Sequence, residues 1–555
     1  MTEAESKRIV VVGASAAGLR AAARAKRLLP SAEVTVVDAG KFISYGACGM
    51  PYFVSGDIQG VGALMNTAWG TMRDADFFEE VKALKVLTGT VAEKIDPTRK
   101  TLQIKNIASG QTEELAYDDL VLATGANPIR LPGCAKDSNR VTCFKTLEEA
   151  RFWRKSLEQG EIARVAIIGT GFIGLEMAEA FVSMWGIDVE LIEAESQVFP
   201  IMSDPEIAAL IEEELVANNV TVHTGNRVTD IRETEDGVEI VTDKQTINVD
   251  HAVMALGVRP AVELAKDAGI KLGETGGILV DDLMRTSAPN IFACGDCIEV
   301  TMFNGKKANL PLGSLANKQG RAVGNILAGR DDMFGAVAGN FCVKVFDLNV
   351  ATTGFTAARA DRWGVKYNAV WASLDDLAHY YPGNATLFMK MLYDPETEAL
   401  LGLQAVGKGE VVKRVDVFGN LLINQGHIED LFDLEFCYAP PYAPALDPLY
   451  FMGAIAMNQE QDDLKSIAPG SSFDGYLVVD VRSPEEAMAR PLPCESINIP
   501  IEDFRAECDT VDKSKPALVV CAKGARSAEA ARILMQAGHP DVVYLGGGSL
   551  MYRAR

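Results

Sequence analysis

The sequence predicts an α/β protein with two nucleotide-binding folds in series, then an α+β domain and a small C-terminal α/β unit. Three observations carry this. RIVVVG (8–13) and RVAIIG (164–169) are short apolar runs suited to parallel strands buried on both faces, and each enters a glycine turn and an Ala-rich or apolar helical stretch. EVTVVDAG (33–40) and DVELIEAE (188–195) then repeat the same second strand, each ending in an acid, Asp38 and Glu193. Beyond about residue 335, KVFDLNVATTGFT (344–356) and LFMKMLYDPETEALLGLQAVG (387–407) alternate as strands with a turn at Asp394-Pro395. The domain boundaries expected are 1–125 with 265–334 for the first nucleotide fold, 126–264 for the second and 335–457 for the α+β domain. The polar stretch 458–472 reads as a linker, and 473–555 as the final unit.

The chain has 555 residues, 48% of them hydrophobic, and a formal net charge of −23. That balance argues against nucleic acid or an anionic membrane as the main partner. Ten scattered cysteines do not make a disulfide framework and point to a reducing compartment, so a cytoplasmic location is expected. The basic, apolar N-terminus reads as a buried first strand rather than a signal peptide, because Arg20, Arg24, Lys26 and Arg27 follow at once. No run of about 18 uncharged apolar residues predicts a membrane span, and no metal site is predicted.

The second glycine loop is complete. Gly169 permits the tight turn, Gly171 lets a pyrophosphate approach the backbone, and Gly174 lets the helix pack closely on the strand. Glu193, 24 residues past Gly169, would accept bonds from ribose hydroxyls and repel a 2′-phosphate, so NADH is expected over NADPH. The first loop keeps Gly13 and Gly18 but has Ser15 in the middle position; Asp38 stands 25 residues on. Two further segments support it: Ala-Thr124-Gly125, and IFACGD, whose Gly295-Asp296 would reach the ribityl chain of FAD. Three such pieces wrapped around an NADH loop indicate a two-dinucleotide flavoprotein of Rossmann-like folds.

With these residues, and with SYGACGMPY (44–52), PLGSLANKQGR (311–321) and YAPPYAPALDP (438–448), the chain resembles the pyridine nucleotide-disulfide oxidoreductases over about residues 7–455. It is similar to their single-cysteine branch, which holds coenzyme A-disulfide reductases, NADH oxidases and NADH-dependent persulfide or polysulfide reductases. Two-cysteine members carry C-x-x-x-x-C, but the residue five past Cys48 is Phe53. The resemblance implies that Cys48 is the nucleophile beside the flavin. As a thiolate near a helix start it would attack a sulfur–sulfur bond. It also implies a homodimer, in which Tyr380 or Tyr381 (in HYYPG) and Tyr438 (in YAPPY), with Tyr442 nearby, reach the opposite subunit's cysteine; ordinary aromatic packing is the alternative for each.

Coenzyme A, a candidate ligand, needs cations. Arg20, Arg24 and Arg27 recur on one helix face and are candidates for its phosphates, and Ser44 matches a family substrate position. A solvated charged face is the competing reading. Ala47 and Leu446 depart from the Asn and Lys common in the family, which removes polar contacts to that ligand. Cys294 and Cys297 overlap the flavin-binding Gly295-Asp296 and read as packing.

At the C-terminus, LVVCAKGARS (518–527), VVDVRSPEEA (478–487) and INIP (497–500) resemble a rhodanese domain. Cys521 would open a loop whose backbone N–H groups hold a persulfide, and Arg526 would help close it. A degenerate rhodanese is the alternative, since Pro491-Leu-Pro-Cys-Glu replaces the family's His-Ile-Pro-Gly-Ala. The expectation is an NADH- and FAD-dependent reductase of a small persulfide or polysulfide, releasing sulfide, fused to a sulfur carrier. The alternatives are a coenzyme A-disulfide reductase, an NADH oxidase reducing oxygen, and a non-enzymatic redox or nucleotide sensor.

Overall fold

The computed structural model describes residues 6–132, 134 and 138–553. The chain divides into two compact units, one of residues 1–192 and 227–337, the other of residues 193–226 and 338–555.

In the first unit, a parallel sheet runs in the order Ile291–Ala293, Asp119–Leu122, Arg8–Val12, Glu33–Val37, Lys85–Leu87. The central strand Arg8–Val12 is buried at four of five positions, as a parallel strand covered on both faces must be. Helix Ala16–Leu28 follows it and packs on helix Gly313–Leu327. The approach is close because the second helix presents glycine: a Cβ on Gly320 would stand 2.3 Å from the Ala17 carbonyl oxygen, and one on Gly324 would stand 2.5 Å from the Arg24 Cβ. A second parallel set pairs Asp188–Ile192, Arg164–Ile168, His251–Met254 and Val141–Thr142 in that order.

Two antiparallel three-stranded sheets sit in the crossovers of these folds, Thr90–Asp96/Thr101–Asn106/Thr112–Ala116 and Val228–Glu233/Val238–Thr242/Thr246–Val249. Strands Thr101–Asn106, Val238–Thr242 and Thr246–Val249 alternate buried with more exposed residues, as in sheets with one face solvated.

The second unit carries an antiparallel sheet in the order Phe341–Val345, Leu348–Gly354, Leu400–Gly407, Thr386–Tyr393, Asn368–Asp375. The stretch 344–356 is thus not one strand: Phe346 adopts φ +51° and turns the chain into a hairpin. A parallel sheet in the order Ser466–Ile467, Val542–Leu545, Ala517–Val520, Leu477–Asp480, Ile497–Asn498 forms the C-terminal domain.

The polar stretch 458–472 is more structured than its composition suggests. Helix Pro448–Gln461 runs into it, and Ser466–Ile467 is an edge strand of the C-terminal sheet. This domain is docked on the preceding one. The Ser373 hydroxyl donates to the Gly547 carbonyl at 2.5 Å, Gly546 packs on Trp371, Lys523 pairs with Asp375, and Arg532 pairs with Asp462. No helix among the described residues is long and apolar enough to cross a membrane.

Candidate active site

Both glycine loops are shaped for a dinucleotide. At the second, Gly169 has φ +101°, and a Cβ there would stand 2.5 Å from the Ala255 carbonyl oxygen; one on Gly174 would stand 2.1 Å from the Gly169 oxygen. Neither position tolerates a side chain. At Gly171 the nearest atom to such a Cβ is 4.0 Å away, so open space lies before the helix Phe172–Trp185. Glu193 directly follows the strand Asp188–Ile192 and its carboxylate accepts the Glu195 N–H at 3.1 Å.

The first loop repeats this construction. Gly13 (φ +110°) faces the Ala123 carbonyl oxygen, 2.1 Å from where its Cβ would be, and Gly18 faces the Gly13 oxygen at 1.9 Å. Ser15 occupies the N-cap of the following helix, exposed and with no side-chain cap bond, so its hydroxyl is presented outward. Asp38 accepts the Ala14 N–H at 2.6 Å and the Gly40 N–H at 2.7 Å; burial raises its pKa, and these two bonds oppose the rise. Gly125 has φ +72°, and the Thr124 hydroxyl donates to the Ala261 carbonyl at 2.6 Å. Gly295 (φ +83°) is fixed by its N–H bond to Gln319 at 2.8 Å, and burial raises the pKa of the adjacent Asp296. Cys294 and Cys297 are fully buried core residues.

Cys48 lies on the single turn Ala47–Gly49, immediately before helix Met50–Ser55. It is exposed and free. Its Sγ sits 4.0 Å from where a Cβ on Gly313 would be, so the start of helix Gly313–Leu327 abuts it. Its surroundings do not favour the thiolate. Burial by neighbouring groups, then Glu176 and Asp296, push the thiol above its ordinary value, opposed by a backbone hydrogen bond at Cys48 and by Lys145. The thiolate that the sequence leads one to expect near a helix start is therefore disfavoured here, first by burial and then by the two acids.

Glu176 was not legible as a site residue. It sits two residues past Gly174, on the helix of the second loop, and its pKa is pushed up to about 7 by burial and by Glu179, while a bond from Tyr52 opposes the rise. The signal was available only as one of two carboxylates, with Glu179, on a largely apolar helix.

The cationic face is wider than Arg20, Arg24 and Arg27. Burial lowers the pKa of Arg24, as do Arg321, Arg330 and Arg27, and the Arg24 Nε donates to Asn325 at 2.6 Å. Arg20 is exposed, one turn before Arg24. Arg321 and Arg330 lie 297 and more residues along the chain from Arg24 and join it only through the packing of the two helices. Ser44 is held at φ +54° with its N–H bonded to the Ala14 carbonyl.

In the second unit, Tyr380 and Tyr438 meet with their hydroxyl oxygens 3.5 Å apart, both more than half exposed. The bond to Tyr438 is the leading cause raising the Tyr380 pKa. Tyr442 and Leu446 are exposed nearby in sequence. Fully buried Arg414 ties the two tyrosine segments, donating to the Asp376 carbonyl at 2.9 Å and to the Asp447 carboxylate at 3.1 Å.

The Cys521 loop lies between strand Ala517–Val520 and helix Ala525–Gln536. Its Sγ accepts the Gly524 N–H at 3.1 Å and lies 3.4 Å from the Ser527 hydroxyl. Gly524 can aim its N–H inward because it takes φ +105°. Arg526 forms a two-pronged pair with Glu486, both contacts 2.7 Å, and this pair leads the causes that bring Glu486 down to about 2. Glu486 was legible only as the acid at the third helical position of the Ser483 capping box, in the first turn, a role it also fills.

The chain belongs to the pyridine nucleotide-disulphide oxidoreductase family, which it matches over residues 7–320, with the family's dimerisation domain at 341–449 and a rhodanese-like domain at 460–554. This family uses FAD and NAD(P)H, and the geometry of both loops fits them. A solved structure titled a NAD-dependent persulfide reductase from A. fulgidus is 40% identical, with a TM-score of 0.94 over 98% of this chain and all of that one. A protein from Pyrococcus furiosus named NAD(P)H sulfur oxidoreductase (CoA-dependent) is 33% identical over 81% of this chain and 99% of its own length. One from Methanocaldococcus jannaschii named NADH oxidase is 34% identical over the same shares.

Proposed function

We propose that the chain is an NADH-dependent reductase of low-molecular-weight persulfides, using Cys48 as its only redox sulfur in the reductase domains and releasing sulfide. The observation that carries this reading is an exposed, free Cys48, with Phe53 in place of a resolving cysteine, in a chain that also bears an enclosed Cys521 in a sulfur-transfer loop. Bound FAD supplies two electrons drawn from NADH. The remaining chemistry belongs to side chains. Cys48 thiolate attacks the inner sulfur of R–S–SH; the S–S bond breaks, hydrosulfide leaves, and Cys48–S–S–R forms. Two electrons and one proton then return Cys48 thiolate and free R–SH.

Tyr380 and Tyr438 of the partner subunit in a homodimer are the proposed source of that proton, a role their shared bond and exposed hydroxyls support. Asp38, Asp296, Ser15 and Thr124-Gly125 are assigned to FAD. The Gly169 loop and Glu193 are assigned to NADH in preference to NADPH. Ser44 and the Arg20, Arg24, Arg27, Arg321 and Arg330 face would hold an anionic thiol such as coenzyme A persulfide, in keeping with the coenzyme A dependence in the name of the P. furiosus relative. Cys521 would carry sulfane sulfur towards that thiol, with Arg526 helping to close its loop.

Sulfide release from coenzyme A persulfide, measured alongside NADH loss, tests this. The expected ratio is one sulfide per NADH. Rapid turnover with oxygen and none with persulfide would favour instead the activity in the name of the M. jannaschii relative.

A further inference from the structure

The Cys521 loop carries two cations, Lys523 and Arg526, and neither is free. Arg526 is held by Glu486 as described. Lys523 Nζ lies 2.6 Å from Asp375 Oδ1. Asp375 does not belong to the rhodanese-like domain. It ends the strand Asn368–Asp375 of the dimerisation domain and also accepts the Asn384 side-chain N–H at 3.2 Å. Arg526 senses a third carboxylate, Glu502, as well as Cys521 itself. Two cations therefore face three carboxylates before any sulfur arrives. A loop with both cations unpaired would attract a small dianion; this one carries no surplus positive charge.

We propose that Asp375 sets the donor specificity of the Cys521 loop: by neutralising Lys523 it closes the loop to dianionic sulfur oxoanions such as thiosulfate and leaves it open to alkyl persulfides. The proposal rests on the reading of Cys521 as a sulfur carrier. With a persulfide, Cys521 thiolate attacks the outer sulfur of R–S–SH, giving Cys521–S–SH and R–S⁻. With thiosulfate, the same attack on the outer sulfur must give Cys521–S–S⁻ and sulfite, so two negative charges enter and leave beside Glu486 and Asp375. The docking of the two domains thus supplies a charge that the rhodanese-like domain lacks on its own.

The test is sulfur transfer to cyanide, read as thiocyanate, by the full-length flavoprotein with no NADH present. The donors are thiosulfate and the persulfide of 2-mercaptoethanol. The expected ratio of thiosulfate to persulfide kcat/KM is low in the wild type and rises at least about tenfold in Asp375→Asn, which frees Lys523. In Lys523→Ala the ratio stays at or below the wild-type value, because a carboxylate is left without its cation. An unchanged ratio in D375N overturns the proposal. So does an equal rise in D375N and K523A, which would assign the effect to undocking rather than charge. Absence of Cys521-dependent transfer from either donor overturns it as well. NADH oxidation with persulfide, followed separately, reports on Cys48 alone, so failure of the reductase reading is seen independently.

Discussion

At the scale of single residues, the proposed nucleophile Cys48 and its neighbour Glu176 give the site a testable pH dependence. Glu176 is among the leading causes that hold the Cys48 thiol high. Glu176→Gln removes that charge, so the pH midpoint of Cys48 alkylation by iodoacetamide should move down; an upward move would contradict the assignment. The same acid bears on stability. Its folded pKa is raised from 4.5 to about 7, so the stabilising protonated form is fully present below about pH 4.5 and is lost as pH rises through about 7. Above pH 7 the wild type should be less stable than Glu176→Gln by roughly 3 kcal/mol, measured by urea unfolding of the apoprotein. That Cys48 has no second cysteine five residues on was legible in the sequence, because it is a statement about spacing. Its electrostatics were not, because Glu176 and Asp296 lie 128 and 248 residues away and meet it only in the fold.

At the scale of elements, the buried Arg414–Asp447 pair is the clearest structural joint. Helix Val412–Ile423 sends Arg414 to Asp447, which caps helix Pro448–Gln461 through the Leu449 N–H, and to Asp376, which accepts the Ala385 N–H and closes the Tyr380 loop. Replacing Arg414 by Met leaves the buried Asp447 carboxylate with the Leu449 N–H but without its cation, at a cost of about 3–5 kcal/mol, visible as a lowered thermal midpoint. Tyr438→Phe removes only a hydroxyl. It should slow persulfide turnover on the order of 10²-fold while leaving reduction of the flavin by NADH unchanged; loss of both would mean that the tyrosine acts through folding.

The parallel strands and glycine turns could be read from the sequence because a strand buried on both faces is a continuous apolar run and a dinucleotide turn demands glycine. The two small antiparallel sheets were missed, since their half-polar strands, such as Thr112–Ala116 with four exposed residues of five, resemble loops in composition. The stretch 458–472 misled for a related reason: a short edge strand such as Ser466–Ile467 needs little apolar surface.

At the scale of the whole molecule, the chain forms two compact units. The first holds the glycine loops and Cys48, and the second holds the tyrosine pair and the Cys521 loop. The order of domains was legible, because each has its own motif. The ion pair Lys523–Asp375 that joins the last two was not, because neither residue belongs to a motif that names its partner. The cationic face makes a prediction at this scale too. Joint replacement of Arg24 and Arg321 by Ala should raise KM for coenzyme A persulfide at least about tenfold and leave the persulfide of 2-mercaptoethanol unaffected; equal losses for both would remove coenzyme A from the account.

The central claim is that one cysteine performs the sulfur chemistry on the reductase side. It is tested most directly by mixing the NADH-reduced flavoprotein with coenzyme A persulfide without oxygen and following flavin reoxidation together with sulfide. The wild type should release one sulfide for each flavin reoxidised, and Cys48→Ser should lose at least about 1,000-fold in rate while still being reduced by NADH. Sulfide release by the Cys48→Ser protein at the wild-type rate would contradict the claim.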